Sequence, residues 1–277
     1  MWEIKMRQRL LFLLFCLVMG IGFSCKKDKS NPPIKVVPVN KPKLYADTVL
    51  FVQVSGVIVH PVITAAGSYT STPDGLQIDA ITGDIDVNNS ETGLKYKVTF
   101  TPADGSAVKT SFIIISGINY LDKIYNLAAG DSIATPVYNA DNTLAIPDAG
   151  NGTAFDENGG CGKAGIVVDA GNAKINLAKS VRNQGIDTGA TQEVKLVYHI
   201  NDGSNKAPNG LDVKIYFYRT AAEIPQYLTD LLNARKGMVY GDALAPMTSL
   251  ALSASPVAFS KAKPTRTRPP CIIVVSR

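Results

Sequence analysis

The chain has 277 residues, a formal charge of +5, 45% apolar residues and 18% charged residues. The charge is unevenly placed: segments 26–47 and 261–277 are basic, while residues 48–260 carry 20 acidic against 14 basic side chains, which argues against a broad nucleic-acid-binding surface. No P-loop, Rossmann loop, H-E-x-x-H or G-x-S-x-G pattern occurs, so the sequence offers no enzyme signature, and two histidines leave few ligands for a transition metal.

Lys5, Arg7 and Arg9 precede an apolar run from Leu10 to Phe23, closed by Ser24 and Cys25. This reads as an export signal over residues 1–24, with an apolar core shorter than the roughly 20 residues of a comfortable membrane span. Gly22, Ser24 and Cys25 resemble a bacterial lipoprotein box, and the following Lys-rich run is similar to mature N-termini of Bacteroidota lipoproteins. The resemblance implies cleavage before Cys25 and lipidation of its thiol. It also implies a membrane partner reached through a lipid anchor, in the cell envelope, at the outer membrane and on its exposed surface. The rival readings are an ordinary cleaved signal or a single anchor helix. Acyl chains contribute about 0.8 kcal/mol per buried CH₂, so several on one cysteine hold a folded body at a bilayer. Residues 25–47, rich in Lys and Pro, read as a tether.

From Val49 the pattern is strands and turns. VLFVQVSGVIVHPVI is apolar and β-branched, GLQIDAITGDIDV gives two short alternating segments about a Thr-Gly turn, and LKYKVTFTP alternates as a half-buried strand. A turn at Asp104-Gly105 leads into KTSFIIISGINY, and this spacing predicts antiparallel sandwiches. The second half replays the order. Gly165 aligns with Gly75, Asp169 with Asp79, Ile175 with Ile85 and Leu177 with Val87; after a two-residue insertion Gly185 aligns with Gly93. The two DGS turns, Asp104–Ser106 and Asp202–Ser204, fall at the same point. The expected fold is all-β: two immunoglobulin-like antiparallel sandwiches, 48–120 and 130–220, joined by LDKIYNLAAGDSIATP.

Gly75, Leu76, Ile78, Asp79, Thr82, Gly83 and Ile85 resemble the signature of bacterial immunoglobulin/cadherin-like domains. The resemblance implies two adjacent strands with their turn, in exported domains that serve as adhesive modules or spacers. The second copy departs from it, with Ala170-Gly171-Asn172-Ala173 at the turn, and belongs by the internal repeat.

Residues 221–277 form a C-terminal extension. EIPQYLTDLLNARKG predicts a short helix with Ile224, Leu228, Leu231 and Leu232 on one side, Pro225 in its first turn and Gly237 past its end. SLALSASPVAF reads as a strand, and CIIVVSR as an apolar terminal strand that needs a partner, either the second sheet or another protein's edge. Cys161 and Cys271 remain after Cys16 leaves with the signal. They either pair as a disulfide in an oxidising compartment or stay as buried free thiols.

Asp79, Asp84 and Asp86 offer hard oxygen ligands for calcium, without the spacing of an EF-hand. The alternative is structural: Asp79 serves the Thr82-Gly83 turn, while Asp84 and Asp86 form the polar side of a strand. The repeat favours the second reading, because Asp79 recurs as Asp169 but Asp84 and Asp86 become Lys174 and Asn176. His60 and His199 read as strand-face residues. Tyr96, Tyr120, Tyr125, Tyr198, Tyr216, Tyr218, Tyr227 and Tyr240 read mostly as packing, with a glycan-binding face among them left open. The functional expectation is a non-catalytic envelope protein that binds a glycan or protein ligand, adheres or acts as a spacer, with no cofactor. The alternatives are association through the C-terminal strand and a carbohydrate-active enzyme.

Overall fold

The computed structural model describes residues 43–183, 188–241 and 268–276. The signal segment, Cys25, the tether as far as residue 42 and the SLALSASPVAF segment lie outside the described residues. Residues from Lys43 onward form one compact unit.

The architecture is mostly β, with several antiparallel sheets, a short C-terminal helix and a terminal strand. In the first half, β1 (Val49–Leu50), β3 (Gly67–Thr72), β6 (Leu94–Pro102) and β7 (Lys109–Ile115) form a four-stranded sheet in the order β1-β7-β6-β3. β2 (Ile58–Val59), β4 (Gln77–Ile78) and β5 (Ile85–Asp86) form a three-stranded sheet, order β2-β5-β4. β8 (Ile118–Asn119) pairs with β11 (Val137–Tyr138), and β10 (Ile133–Ala134) with β13 (Ile175–Asn176). The second half's main sheet has five strands in the order β12 (Ala154–Phe155), β14 (Thr191–His199), β15 (Asn209–Tyr218), β16 (Cys271–Val275) and β9 (Lys123–Asn126). Each half thus has one long sheet and short accessory pairs, which is coarser than two well-formed facing sheets.

The sequence explains the long strands. In β6 the alternation places Leu94, Tyr96, Val98 and Phe100 in the first-half core, while Lys95, Lys97 and Thr99 turn outward. β6 and β7 form a hairpin, in which the Asp104 carboxylate accepts the Ser106 N–H at 2.9 Å. The β14–β15 hairpin repeats that contact between Asp202 and Ser204 at 2.8 Å.

Three segments differ from expectation. VLFVQVSGVIVHPVI divides at a turn ending on Gly56 (φ 74°), and KTSFIIISGINY divides at Gly117 (φ 148°), where a Cβ would meet the Tyr198 hydroxyl at 2.6 Å. LDKIYNLAAGDSIATP is not a bare joint: it supplies β9 and β10. A further segment, Leu177–Asn183, to which the repeat assigned no secondary structure, forms a helix. Asn176 accepts the Lys179 N–H through its Oδ1 at 2.9 Å, as an N-capping side chain does, and Leu177 and Val181 are buried one turn apart.

The terminal strand is enclosed rather than at an edge. β16 runs parallel to β15 on one side and to β9 on the other. Its Ile272 and Val274 enter the second-half core; Cys271, Ile273 and Val275 enter a separate cluster with Tyr216, Tyr218 and Leu228. The helix Gln226–Arg235 roofs that cluster, with Ile224, Leu231 and Leu232 packed against it as the apolar spacing predicts. Burial on both faces is why CIIVV is continuous in apolarity instead of alternating. Ile272→Ala is expected to lower unfolding stability by about 2–5 kcal/mol in a denaturant titration, and Val54→Ala, 83% exposed in a turn, by less than about 0.5 kcal/mol.

Candidate functional site

The three aspartates singled out by sequence hold separate partners. Asp79 Oδ1 accepts the N–H groups of Ile81 and Thr82, both at 2.8 Å, and these bonds lower its pKa. Asp84 Oδ1 lies 2.7 Å from His60 Nδ1. Asp86 accepts the Asn89 N–H at 3.1 Å and its side-chain amide at 2.8 Å. Among the described residues no group of three or more His, Cys, Asp or Glu side chains is placed to hold a metal ion.

The Asp79 turn is a device used twice. The N–H of Asp79 donates to the Asp84 carbonyl and that of Gly83 to the Asp79 carbonyl; Asp169, Lys174 and Ala173 make the same pair of bonds. A buried tyrosine locks each turn, Tyr45 donating to the Gly83 carbonyl at 2.6 Å and Tyr120 donating to that of Ala173. Ser90 Oγ bridges the Gln77 N–H and the Asp86 carbonyl, and Ser180 Oγ bridges those of Val167 and Asn176. These carboxylates and hydroxyls are therefore occupied in holding turns.

The tyrosines divide likewise. Tyr96, Tyr120 and Tyr198 are in the cores, Tyr216 and Tyr218 lie under the C-terminal helix, and Tyr227 is 61% exposed on that helix. His199 Nδ1 lies 2.6 Å from Glu157 Oε1. Cys161 and Cys271 are free, buried thiols in different clusters, and burial pushes each up to about 12.

A cleft of about 480 Å³ opens where the first half's turn at 88–91 faces the second half's sheet. Lys195, Gly210 and Asp212 line it from β14 and β15, and Arg268 and Pro269 line it from the segment leading into β16. Lys195 and Asp212 are opposite each other in the β14–β15 register, on the side of the sheet away from the core. The next such pair along the ladder, Glu193 and Lys214, closes at 3.2 Å. Lys195 and Asp212 do not: the lysine stem lies over Gly210, where a Cβ would come within 2.6 Å of Lys195 Cε, and neither charged group has a side-chain partner among the described residues.

Behind the cleft lies a buried charge cluster. Asp122 Oδ1, in a side chain 2% exposed, accepts the Cys271 N–H at 2.6 Å and Arg235 Nη1 at 3.5 Å. Arg235 also donates to the Pro269 carbonyl at 2.9 Å, so the start of β16 is clamped twice. Glu91 accepts from Asn119 Nδ2 at 3.4 Å and from the Arg268 N–H at 3.3 Å. Burial raises the Glu91 carboxyl to about 7, against the opposing pull of Arg268 and Arg235. Sequence reasoning singled out none of Glu91, Lys195, Asp212 or Arg268. The one available signal was Arg268 standing just before an apolar strand that needed a partner.

No protein-family model and no curated protein matches the chain. Among solved structures it is similar to a SusE-like surface located polysaccharide binding protein from the Bacteroides thetaiotaomicron heparin utilisation locus, at 14% identity and a TM-score of 0.25. That match covers 65% of this chain and 34% of the other, so this chain spans about a third of that protein's length. It is also similar to human protocadherin-24 EC1-2 in two crystal structures, at 11% and 9% identity, TM-scores of 0.22 and 0.23, and coverage of 62% of this chain and 94% of each of those.

Glu91 titrates above its ordinary value, so the folded state holds its proton over a pH range where the unfolded chain has released it. Its contribution is complete below about pH 4.5 and declines by about 3 kcal/mol as pH rises towards 7. Thermal unfolding of Glu91→Gln is expected to lack that component of the decline. Asp79→Ala is expected to destabilise by about 1–3 kcal/mol equally with calcium and with chelator.

Proposed function

We propose that the chain is a non-catalytic binding protein of the cell envelope, anchored through Cys25, whose two related halves are immunoglobulin-like and whose cleft takes a glycan. The observation that carries the binding reading is the opposed, unpaired Lys195 and Asp212 on a rigid strand ladder inside the cleft. Sugar hydroxyls both donate and accept, and an adjacent ammonium and carboxylate serve them in both senses. Placement on strands rather than on a loop keeps the two groups at a fixed separation.

A second reading, glycoside hydrolysis, draws on two carboxylates in one cleft, one of them raised in pKa. Against it, both Glu91 oxygens already accept protein N–H groups, which leaves the carboxyl poorly placed to protonate a leaving group.

A glycan array probed with the 43–277 fragment is expected to give saccharide ligands that Asp212→Ala weakens at least tenfold and that are recovered uncleaved. Unchanged affinity in that variant would remove the cleft as the site, and cleaved ligand would favour hydrolysis. Metabolic labelling with a fatty acid is expected to mark the full chain and not Cys25→Ala.

A further inference from the structure

We infer that the cleft selects an acidic saccharide, docking its carboxylate or sulfate on Arg268 and Lys195 while Asp212 engages hydroxyls. This rests on the glycan-binding reading and names its ligand class.

Arg268 is the unusual member of the cleft. Its side chain is 10% exposed, yet its Nε–H is buried without an acceptor. Its Nη1 donates to the Met238 sulfur at 2.8 Å and lies 3.9 Å from Asp122 Oδ2, which has no hydrogen-bond partner of its own. Thioether sulfur is a weak acceptor, and 3.9 Å is beyond hydrogen-bond range. A guanidinium stays charged at any ordinary pH; the Nε–H itself is buried, so an anion in the cleft meets Arg268 through its charge and through those of its atoms that line the cleft. Lys195 supplies a second cation in the same cleft, free of the ion pair its neighbours in the ladder make.

The opposing charges are Asp212, Glu91 and Asp122, whose Oδ2 lies 3.9 Å from Arg268 Nη1. Asp212 stands opposite Lys195 and offsets part of its field. Glu91 is faced by Arg268 and Arg235, by the Asn119 amide and by the Tyr96 phenol, with Asp74 acting on that phenol. With its pKa near 7, Glu91 is largely neutral in mildly acidic solution and adds a negative charge to the cleft wall above neutrality. Acid selectivity should therefore weaken as pH rises.

The positions of Arg268 and β16 are linked. Two residues separate Arg268 from Cys271, whose N–H is held by Asp122, and Arg235 holds the Pro269 carbonyl between them. The terminal strand is thus the element that delivers the anion-binding side chain.

The test is a glycan array of neutral, uronate-bearing and sulfated saccharides, probed with the full chain in detergent at pH 6 and pH 8, followed by calorimetry on matched pairs: each acidic ligand against its methyl-esterified or desulfated form. The expected result is at least tenfold tighter binding of the acidic member at pH 6 and a several-fold smaller ratio at pH 8. Lys195→Gln, at an exposed position, and Arg268→Gln should each collapse the acid-over-neutral ratio, and the uronate and sulfate arms identify which anion is read. Equal binding of the pair members, with Asp212→Ala still weakening both, would overturn the acidic-ligand inference and leave glycan binding standing. The absence of any saccharide ligand would overturn both.

Discussion

The structure depends on the enclosure of one strand. β16 has five consecutive buried apolar residues and a parallel neighbour on each side, so its backbone groups and both its faces are satisfied only in that slot. Each end is fixed. Asp122 accepts the Cys271 N–H, while beyond the strand the Ser276 N–H donates to the Tyr218 carbonyl at 3.2 Å and the Leu127 N–H donates to the Val275 carbonyl at 2.9 Å. Full burial of a Val or Ile side chain is worth about 1.5–3 kcal/mol, so this segment is a major stabilising element of its sheet. It also argues against free strand donation to another protein, since the strand is already paired on both sides.

The two halves solve the same packing problem with different strands. In the first, β1 lies parallel to β7 at the sheet's end. In the second, β9 does not lie beside β15: β16 occupies that place and β9 pairs with its far side. What the halves share is local: an aspartate-built turn, a serine bridge and a tyrosine hydroxyl on a carbonyl in the left-handed region, at Gly83 (φ 76°) and Ala173 (φ 58°). They meet through polar contacts, such as Ser116 Oγ with Asp202 Oδ2 at 3.0 Å and Gln53 Nε2 donating to the Gly203 carbonyl at 3.0 Å, and through Val137, Ala140 and Ala207, which enter the first-half core. The cleft forms beside that junction, with walls that neither half supplies alone.

Much of the fold was legible because its signals are local. Alternation gave β6, the paired DGS turns gave two hairpins, and the recurrence of Asp79 as Asp169 marked a turn. The apolar spacing of Leu228, Leu231 and Leu232 gave the C-terminal helix and its packing face. What escaped depends on tertiary context. β9 reads as linker because four residues carry little pattern, and its pairing with β16 spans almost 150 positions. The helix at 177–183 falls in the stretch that carries the two-residue insertion of the repeat alignment, so the first half offered no counterpart to read it from. The cleft was invisible for a similar reason: Glu91, Lys195, Asp212 and Arg268 converge from two halves and the chain's end, and none belongs to a motif.

Strand enclosure therefore links stability to the shape of the cleft, since the residues that seat β16 also set Arg268 against it. Native-state amide hydrogen exchange of the full chain tests this most directly. The account predicts that the amides of residues 271–275 exchange only through global unfolding, with protection equal to that of the β14–β15 core. Exchange of those amides at the rate of exposed loops, with β14 and β15 still protected, would contradict it.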